Sequence, residues 1–288
     1  MFEINNVTKL YKKNQGIQNV SFTLKKGQVC AIVGHNGSGK STLFKSCLNL
    51  INVDEGTIKY NNEPIFPLLF GYLPENRSVI ADLKTIELID LLAKLKKMDK
   101  ESIQKQCDYW MDQLQCASLK NKKLKECSKG NQQKIQLICA IIHSPKIIIL
   151  DEPFSGLDID NTRLFQKTIV KLKKMGKIIM LSSHRFEEIE HLCDMVCVLK
   201  DSKVIMQGTL TDIKQLINKQ TITISEDSNM FYKDEKGVID VVLDGNLTHY
   251  VFQNEKACTK VAKIMVEERN LKSMKISSLT LDDLYGGL

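Results

Sequence analysis

Residues 34–42, which read GHNGSGKST, constrain the fold of this 288-residue chain more than any other stretch. They match the pattern G-x-x-x-x-G-K-[ST] of a phosphate-binding loop. Such a loop brings several backbone N–H groups to the same anionic oxygens, and its glycines keep that approach free of side chains. The apolar run 28–33 predicts the buried strand before the loop, and a helix should begin near Lys40. The pattern therefore predicts a bound nucleoside triphosphate, with Lys40 at its β- and γ-phosphates and Ser41 on Mg²⁺.

A second pattern, IIILDE at residues 147–152, ends an apolar run with two carboxylates. The run predicts a buried strand, which places Asp151 and Glu152 at its carboxyl end. In phosphate-loop enzymes the first acid helps to hold Mg²⁺, and the second is placed to polarise an attacking water. The sequence PFSGLD at residues 153–158 strengthens this interpretation.

A third buried strand, residues 177–183, leads to His184. Ligands of open α/β folds lie at the carboxyl edge of the sheet, so a binding role for His184 is one interpretation and a capping or surface histidine is the other. Tyr11 is equally open, because its ring could stack on adenine near the loop or simply pack within a β layer. The alternation of strands and helices around these motifs predicts an α/β fold.

Composition limits the class of protein. Hydrophobic residues make up 43% of the chain and charged residues 26%, which is typical of a soluble globular protein. The best apolar run, residues 137–142, is too short to span a bilayer, and the first residues lack the apolar core of a signal peptide. We therefore expect a cytoplasmic protein whose role at a membrane, if it has one, is peripheral.

The nine cysteines and the net charge of +7 say less about function than the motifs do. No C-x-x-C pair occurs, which favours reduced, mostly buried thiols over a metal site or disulfides. The positive charge lies in lysine runs at 94–100, 120–125 and 171–177, which predict solvated helix faces. Attraction to nucleic acid or to anionic lipid head groups stays open, although no aromatic residue is interleaved with these runs.

Two further regions complete the chain. Residues 75–130 predict a mostly helical insertion within the α/β pattern. Past a boundary at 218/219, short apolar segments and one helical segment predict a small α+β domain. No catalytic group is visible in that domain, where we expect His249 to be structural.

The ordered set GHNGSGKST, GYLPE, CSKGNQQK, IIILDEP, SGLD and SSH resembles the nucleotide-binding domain of ABC transporters over about residues 1–210. The resemblance implies a P-loop NTPase fold of the ABC ATPase type, with a mixed core sheet, an antiparallel β layer and a helical subdomain at about 75–130. We assign residues 1–218 to this ATP-binding domain and 219–288 to a small C-terminal accessory domain of α+β type. GYLPE and SKGNQQK are similar to the separate ATP-binding subunits of bacterial exporters of the drug, ion and peptide efflux type.

The resemblance also implies a head-to-tail dimer with two ATP molecules, each held by the phosphate loop of one subunit and the signature loop of the other. Ser128 and Gly130 would touch the γ-phosphate across the dimer, Asp158 would link the two sites, and Tyr11 would stack on adenine. The implied catalytic residues are Glu152 and His184, and the implied Mg²⁺ ligands are Ser41, Glu75 and Asp151. The implied ATP-binding residues are Tyr11, Gly34, Asn36, Gly37, Gly39, Lys40, Ser41, Thr42, Ser128, Gly130 and Asp158.

The sequence departs from the family's pattern at two places. The junction glutamine of the family is Glu75 here, and the extra negative charge should still ligate the metal but with altered affinity. The signature LSGGQ is replaced by CSKGN, which keeps the serine and the second glycine and adds Lys129 near a phosphate. We expect function to be retained.

The resemblance implies an ATP-hydrolysing subunit that powers export of a drug, an ion or a peptide. Its partners would be a membrane-spanning permease and a second ATP-binding subunit, either a second copy or a close relative, at the cytoplasmic face of the cell membrane. The alternative is a soluble ABC-type ATPase that acts on nucleic acid or the ribosome. Such relatives carry a long coiled coil, zinc cysteines or two cassettes, and because this sequence shows none of these we expect no nucleic-acid partner.

Overall fold

The computed structural model describes residues 1–12, 15–75, 82–183, 190–217, 220–225, 232–244, 247–268 and 273–278. It divides into two compact units, Met1–Leu210 and Thr211–Leu288. A helix, Leu210–Ile217, begins at this division. The boundary that the sequence predicts, at 218/219, falls after the end of this helix and stays a prediction.

The first unit is built on one mixed sheet. Its strands in chain order are β1 (Phe2–Lys12), β2 (Gln15–Leu24), β3 (Val29–Val33), β4 (Glu55–Tyr60), β5 (Glu63–Pro64), β6 (Phe70–Leu73), β7 (Ile147–Leu150), β8 (Ile178–Ser183), β9 (Met195–Lys200) and β10 (Lys203–Thr209). Within the described residues their order is β5-β4-β1-β2-β10-β9-β3-β8-β7-β6. This arrangement confirms the predicted α/β fold with a mixed sheet.

The centre of the sheet is parallel. β3 pairs with β8 and β9, β8 with β7, and β7 with β6, all in the same direction. Every residue of β3, β7 and β8 is buried, as expected for parallel strands that are covered on both faces. The register places Val33 opposite Ser183, so β3 and β8 end at the same level. The segments that follow these strands therefore meet at one edge of the sheet.

The outer strands form the predicted antiparallel layer. β1 pairs with β2 on one side and with β4 on the other, both antiparallel. β4 and β5 form a hairpin, with Asn61 and Asn62 at its turn at φ values of 51° and 66°. Asparagine tolerates this left-handed region better than most residues, which explains the pair at this turn.

Helices cover the sheet and form the insertion. The helices of the first unit are α1 (Lys40–Cys47), α2 (Thr85–Leu95), α3 (Lys100–Gln113), α4 (Lys129–Ile141) and α5 (Ile159–Lys174). α2 and α3, with short 3-10 helices at Ala117–Leu119 and Leu124–Glu126, occupy the stretch for which the sequence predicts a helical insertion. Asp99 caps α3 by accepting a hydrogen bond from the backbone N–H of Ser102 at 2.9 Å.

The second unit is small and has its own core. After α6 (Leu210–Ile217), its elements are β11 (Gln220–Ser225), β12 (Val238–Asp244), β13 (Leu247–Phe252), α7 (Glu255–Glu268) and β14 (Met274–Ser278). The strands form an antiparallel sheet in the order β12-β13-β11-β14. Tyr250 and Phe252 of the sheet pack with Val261 and Met265 of α7 in one apolar cluster. These elements confirm the predicted α+β character.

His249 of this unit has the structural setting that the sequence predicts. Its Nδ1 lies 3.0 Å from the hydroxyl of Thr223, its antiparallel neighbour on β11.

Among the described residues, no helix combines the length and the apolar character that crossing a membrane requires.

The nine cysteines are free thiols, and all except Cys139 are buried. Burial raises the pKa of the Cys197 thiol to about 12, so this group stays protonated at neutral pH. The expected burial of most thiols is confirmed.

Candidate nucleotide site

A cavity of ≈ 510 Å³ opens where the phosphate loop, residues 34–42, follows β3. It brings together most of the site residues that the sequence predicts and adds two that it does not. Its lining residues are Tyr11, Gln15, Gly16, Asn36, Gly37, Gly39, Lys40, Ser41, Thr42, Glu75, Asp151 and Glu152. Among the other predicted residues, Gly34, Ser128, Gly130 and Asp158 do not line this cavity, and His184 lies outside the described residues.

The phosphate loop turns into α1 at Gly39, the N-cap residue, which has φ 112°. A Cβ at this position would come within 2.2 Å of the carbonyl oxygen of Gly16, so glycine is required both by conformation and by space. The cap of α1 has no side-chain hydrogen bond. Because Gly39, Lys40 and Ser41 line the cavity, the N-terminus of α1, with its uncapped N–H groups and the positive end of the helix dipole, lies at the cavity, as anion binding requires.

Gly34 and Ser38 form the closed part of the loop. A Cβ on Gly34 would come within 2.3 Å of the Leu199 carbonyl oxygen and 2.5 Å of the Ser38 hydroxyl, so the loop fits only with glycine here. The Ser38 hydroxyl is fully buried and has no hydrogen-bond partner among the described residues. A buried hydroxyl without a partner is unfavourable, and a phosphate oxygen would satisfy it, so the loop fits an anionic ligand.

Lys40 lies on the floor of the cavity and is 7% exposed. Its ammonium donates hydrogen bonds to the carbonyl oxygens of Gly34 at 2.7 Å and His35 at 3.2 Å. Burial lowers the pKa of Lys40, while the neighbouring carboxylates of Glu152, Asp151 and Glu75 act in the opposite direction. The lysine is thus held by the loop itself, beside the acids that would face the same phosphates.

Asp151 follows β7 and is 4% exposed. Its Oδ2 accepts a hydrogen bond from the Ser41 hydroxyl at 3.4 Å, and its Oδ1 accepts one from the Ser182 hydroxyl at 2.6 Å. Burial raises the pKa of Asp151, and the charges of Glu75 and Glu152 raise it further, against the Ser182 hydrogen bond and Lys40. Glu75 and Glu152 are thus close enough to Asp151 to disfavour its charged form, and a divalent cation beside Asp151 would offset that repulsion.

Mg²⁺ fits this donor set. Hard oxygen donors, here the hydroxyl of Ser41 and the carboxylates of Glu75 and Asp151, are the ligands that Mg²⁺ prefers, together with phosphate oxygens and water. Over the described ranges, no group of three or more His, Cys, Asp or Glu residues has the arrangement of a complete protein cage.

Glu152 has a left-handed backbone, with φ 48°, and is 8% exposed. This conformation is rare for a residue that is neither glycine nor asparagine, and it costs about 1–3 kcal/mol unless the surroundings hold it. Two hydrogen bonds hold the turn: the Glu152 N–H donates to the Ser182 hydroxyl at 2.7 Å, and Gln133 of α4 donates to the Pro153 carbonyl at 2.6 Å.

Tyr11 lies at the mouth of the cavity, on β1, and is 55% exposed. The Lys9 ammonium is 5.9 Å from the centre of its ring. An exposed aromatic ring at the entrance is better suited to stacking on a base than to packing in the core. The adenine-stacking role that the resemblance implies stays a prediction.

Ser128, Gly130 and Asp158, which we call the signature region, lie at the N-termini of α4 and α5. Ser128 caps α4, with its hydroxyl accepting from the Asn131 N–H at 3.3 Å. Asp158 caps α5 by accepting from the backbone N–H and the side-chain amide of Asn161 at 2.8 and 2.9 Å. A Cβ on Gly130 would come within 3.0 Å of the same Asn161 amide. Asn161 therefore connects the two segments.

Sequence reasoning missed three residues of the site: Gln15 and Gly16 in the cavity wall, and Ser182 behind the acids. The first two come from the β1–β2 hairpin, which reaches the loop only through the tertiary fold. Ser182 did leave a signal, since a hydroxyl at the end of the apolar run KIIMLSS needs a partner once the strand is buried.

Residues 17–155 match the sequence model of the family described as ABC transporter. An uncharacterised ABC transporter ATP-binding protein of Bacillus subtilis (strain 168), YhaQ, is 32% identical over 99% of this chain and 97% of its own length. That match decides the family. This chain belongs to the ATP-binding proteins of ABC transporters.

Two other relatives of this ABC protein differ in whether their names state a transported substrate. MJ1023 of Methanocaldococcus jannaschii, an uncharacterised ABC transporter ATP-binding protein, is 41% identical over 73% of this chain and 78% of its own. The methionine import ATP-binding protein MetN 4 of Oceanobacillus iheyensis is 30% identical over 85% of this chain and 74% of its own.

Solved structures share the fold. An ATP-binding subunit of an ABC transporter superposes with a TM-score of 0.70 and 26% identity, over 75% of this chain and 92% of its own. The dimeric bacterial cassette MJ0796 superposes with a TM-score of 0.66 and 24% identity, over 73% of this chain and 99% of its own. The predicted ABC ATPase fold is confirmed.

Proposed function

We propose that this ABC protein is the ATP-hydrolysing subunit of an exporter, which drives a drug, an ion or a peptide out through a separate membrane-spanning permease. One observation carries the hydrolysis: the phosphate loop, Asp151 and Glu152 line a single cavity. They supply the phosphate clamp, the metal ligand and the base that cleavage of a phosphoanhydride needs.

In this proposal the loop N–H groups and Lys40 hold the β- and γ-phosphates, and Tyr11 stacks on adenine. Glu152 takes a proton from the attacking water, whose oxygen bonds to the γ-phosphorus. The bond from that phosphorus to the bridging oxygen breaks, and ADP and phosphate leave. His184 would contact the γ-phosphate and order the water, as the resemblance implies.

Ser41, Glu75 and Asp151 would hold Mg²⁺, which supplies neutralisation of the phosphate charge. Support comes from the hydrogen bond between the Ser41 hydroxyl and Asp151 and from the unfavourable proximity of the carboxylates around Asp151. Because Glu75 carries a charge where the family usually has an amide, the affinity of the site for Mg²⁺ should differ from that of relatives with glutamine.

The signature region supports a dimer. The resemblance implies that Ser128 and Gly130 touch the γ-phosphate, yet they do not line the cavity of their own chain. Ile159, next to Asp158, is an apolar side chain that is 72% exposed, and a second subunit would cover it. We propose a head-to-tail dimer of two copies, or of one copy and a close relative, that closes on two ATP molecules.

A second concavity, of ≈ 310 Å³, supports docking of a permease. It lies where α2, α4 and β6 meet, and most of its lining is apolar. The lining residues are Leu48, Leu50, Pro67, Phe70, Gly71, Tyr72, Leu92, Leu95, Lys96, Cys139, Ala140 and His143. Leu50 and Leu95 are 63% and 68% exposed, an arrangement typical of a protein-binding groove. A cytoplasmic helix of the permease would lie here, with this subunit on the cytoplasmic face of the membrane.

The export direction rests on the segments GYLPE and SKGNQQK, which are similar to efflux-type subunits. One relative is a methionine importer by name, so the family alone is compatible with either direction. Transport into inside-out membrane vesicles decides between them: an exporter accumulates its substrate in such vesicles when ATP is added outside, whereas an importer does not.

ATP binding is tested with Lys40→Ala and its matched control Lys45→Ala, an exposed lysine of the same helix. We expect Lys40→Ala to lose detectable binding of a fluorescent ATP analogue, because the only cation on the cavity floor among the described residues is removed. The control should bind as the unaltered protein does. Unchanged affinity in Lys40→Ala would refute the phosphate-loop assignment.

The permease is tested by co-purification from native membranes. We expect a six-helix membrane protein, encoded next to this chain, to co-purify with it, and Leu95→Glu in the groove to disrupt the pair while ATP binding is retained. Isolation instead with ribosomes or DNA would favour the alternative, a soluble ABC-type ATPase acting on nucleic acid.

A further inference from the structure

Ser182 lies behind the two acids and is fully buried. Its hydroxyl donates a hydrogen bond to Oδ1 of Asp151 at 2.6 Å. The Ser182 hydroxyl oxygen also accepts a hydrogen bond from the backbone N–H of Glu152 at 2.7 Å. One hydroxyl thus contacts both the side chain of the expected metal ligand and the backbone of the expected base.

The strand register explains this position. β7 and β8 are parallel, with Leu150 opposite Leu181, so Ser182 stands level with the first residue after β7. The backbone N–H of Asp151 is held from the other side, by the Leu73 carbonyl oxygen at 2.8 Å. Asp151 is therefore fixed through its backbone by β6 and through its side chain by β8.

Glu152 needs this support more than Asp151 does. Its φ of 48° is in the left-handed region, which a glutamate adopts only when its surroundings hold it there. The hydrogen bond to Ser182 gives its buried N–H a partner in that conformation. In an extended conformation the Glu152 side chain would leave strand β7 in a different direction.

We propose that Ser182 is a positioning residue for ATP hydrolysis, whose hydroxyl fixes the Asp151 carboxylate and the left-handed turn at Glu152 in one arrangement. The proposal rests on the proposed function, because it takes Asp151 as the metal ligand and Glu152 as the base. Ser182 does not line the cavity, so it acts through these two residues and leaves the binding of the phosphates to the loop.

Only a hydroxyl can make both contacts. It offers one donor, which Asp151 uses, and acceptor capacity, which the Glu152 N–H uses. Alanine makes neither contact and would leave a buried N–H and a buried carboxylate oxygen each short of a partner. A thiol is a weak donor and a weak acceptor, so cysteine makes both contacts poorly, and threonine keeps the hydroxyl.

The test uses the full chain with Ser182→Ala, Ser182→Cys and Ser182→Thr. For Ser182→Ala we expect kcat for ATP to fall by about 10- to 100-fold, while the affinity for ATP in EDTA stays within about twofold, because the loop is untouched. Binding of Mn²⁺ to the complex with a non-hydrolysable ATP analogue, measured by electron paramagnetic resonance, should weaken by about 10-fold. Ser182→Cys should be intermediate, and Ser182→Thr should recover most of both losses.

Thr168→Val is the matched control, since it removes another buried hydroxyl, one that donates to the Leu164 carbonyl at 2.9 Å within α5. It should lower the melting temperature without changing kcat or Mn²⁺ affinity. If Ser182→Ala does not fold, Ser182→Cys carries the test.

Wild-type kcat and Mn²⁺ affinity in a folded Ser182→Ala or Ser182→Cys protein would overturn the proposal, as would a Ser182→Thr protein as impaired as Ser182→Ala. Failure of the proposed function gives a different result: Lys40→Ala would then still bind ATP. If Lys40→Ala loses ATP binding but the Ser182 variants keep wild-type kcat and Mn²⁺ affinity, only the role of Ser182 is rejected and the proposed function stands.

Discussion

The cavity and the signature region are the two halves of the proposed ATP site, and they are built in different ways. In the cavity, charged groups are buried and held from behind: Lys40 by two loop carbonyls, and Asp151 by Ser182. In the signature region, Ser128 and Asp158 are exposed helix caps. The difference indicates that, in the proposed dimer, each chain would supply a buried phosphate-binding cavity and, on its surface, the residues that complete another chain's site.

The comparison makes separable predictions. Changes in the cavity should affect binding or chemistry within one chain. Changes in the signature region should leave ATP binding by one chain intact and slow hydrolysis, which in the proposed dimer needs two chains.

The largest expected effect is that of Glu152→Gln. The amide cannot take the proton of the attacking water, so hydrolysis should fall by about 100- to 10,000-fold while ATP remains bound. Steady-state phosphate release and filter binding of radiolabelled ATP measure the two quantities. The matched control is Glu126→Gln, which makes the same chemical change at an exposed residue outside the cavity. Gln133 is not used as a control site because its amide holds the turn after Glu152. Hydrolysis at the unaltered rate would reject Glu152 as the base.

A smaller effect is expected from Gly130→Asp in the signature region. The new carboxylate would repel the γ-phosphate of the partner's ATP, so hydrolysis should fall by about 10- to 100-fold. The affinity of the isolated chain for ATP, measured at concentrations where it is monomeric, should not change because Gly130 does not line its own cavity. Weakened binding by the monomer would remove the distinction between the two regions.

The smallest effect is expected from Asn161→Ala, which sharpens the comparison inside the signature region. The variant loses the side-chain hydrogen bond to Asp158 at 2.9 Å and keeps the backbone one. The free energy of unfolding should fall by about 1 kcal/mol, and hydrolysis by a few fold, with ATP affinity unchanged. Urea denaturation and phosphate release provide the measurements. Hydrolysis that stays at the wild-type rate would show that Asn161 supports the cap alone.

The residues that line the cavity are largely those that local sequence patterns single out. The phosphate loop and IIILDE each combine a short strand with the residues that follow it, and parallel strands deliver both to the same edge. α2 and α3 lie in the stretch 75–130 for which the sequence predicts a helical insertion.

What the sequence did not predict depends on neighbours in space. β6 has only four residues, and the β9–β10 hairpin has an exposed, weakly apolar second strand, so neither produced a clear pattern. The left-handed backbone of Glu152 has no signature in its residue type, since it is imposed by Ser182 and Gln133 from other elements. The wall formed by Gln15 and Gly16 likewise depends on the hairpin of β1 and β2 meeting the loop.

A site shared by two copies is tested most directly by the mass of Glu152→Gln in solution, measured by light scattering during size-exclusion chromatography with and without ATP and Mg²⁺. We expect a monomer without ATP and a dimer with it, because ATP that is not hydrolysed holds the cavity of one copy against the signature region of the other. Adding Gly130→Asp to the same chain should restore the monomer. A monomer that retains bound ATP, or a dimer that forms equally well with Gly130→Asp, would contradict the shared site.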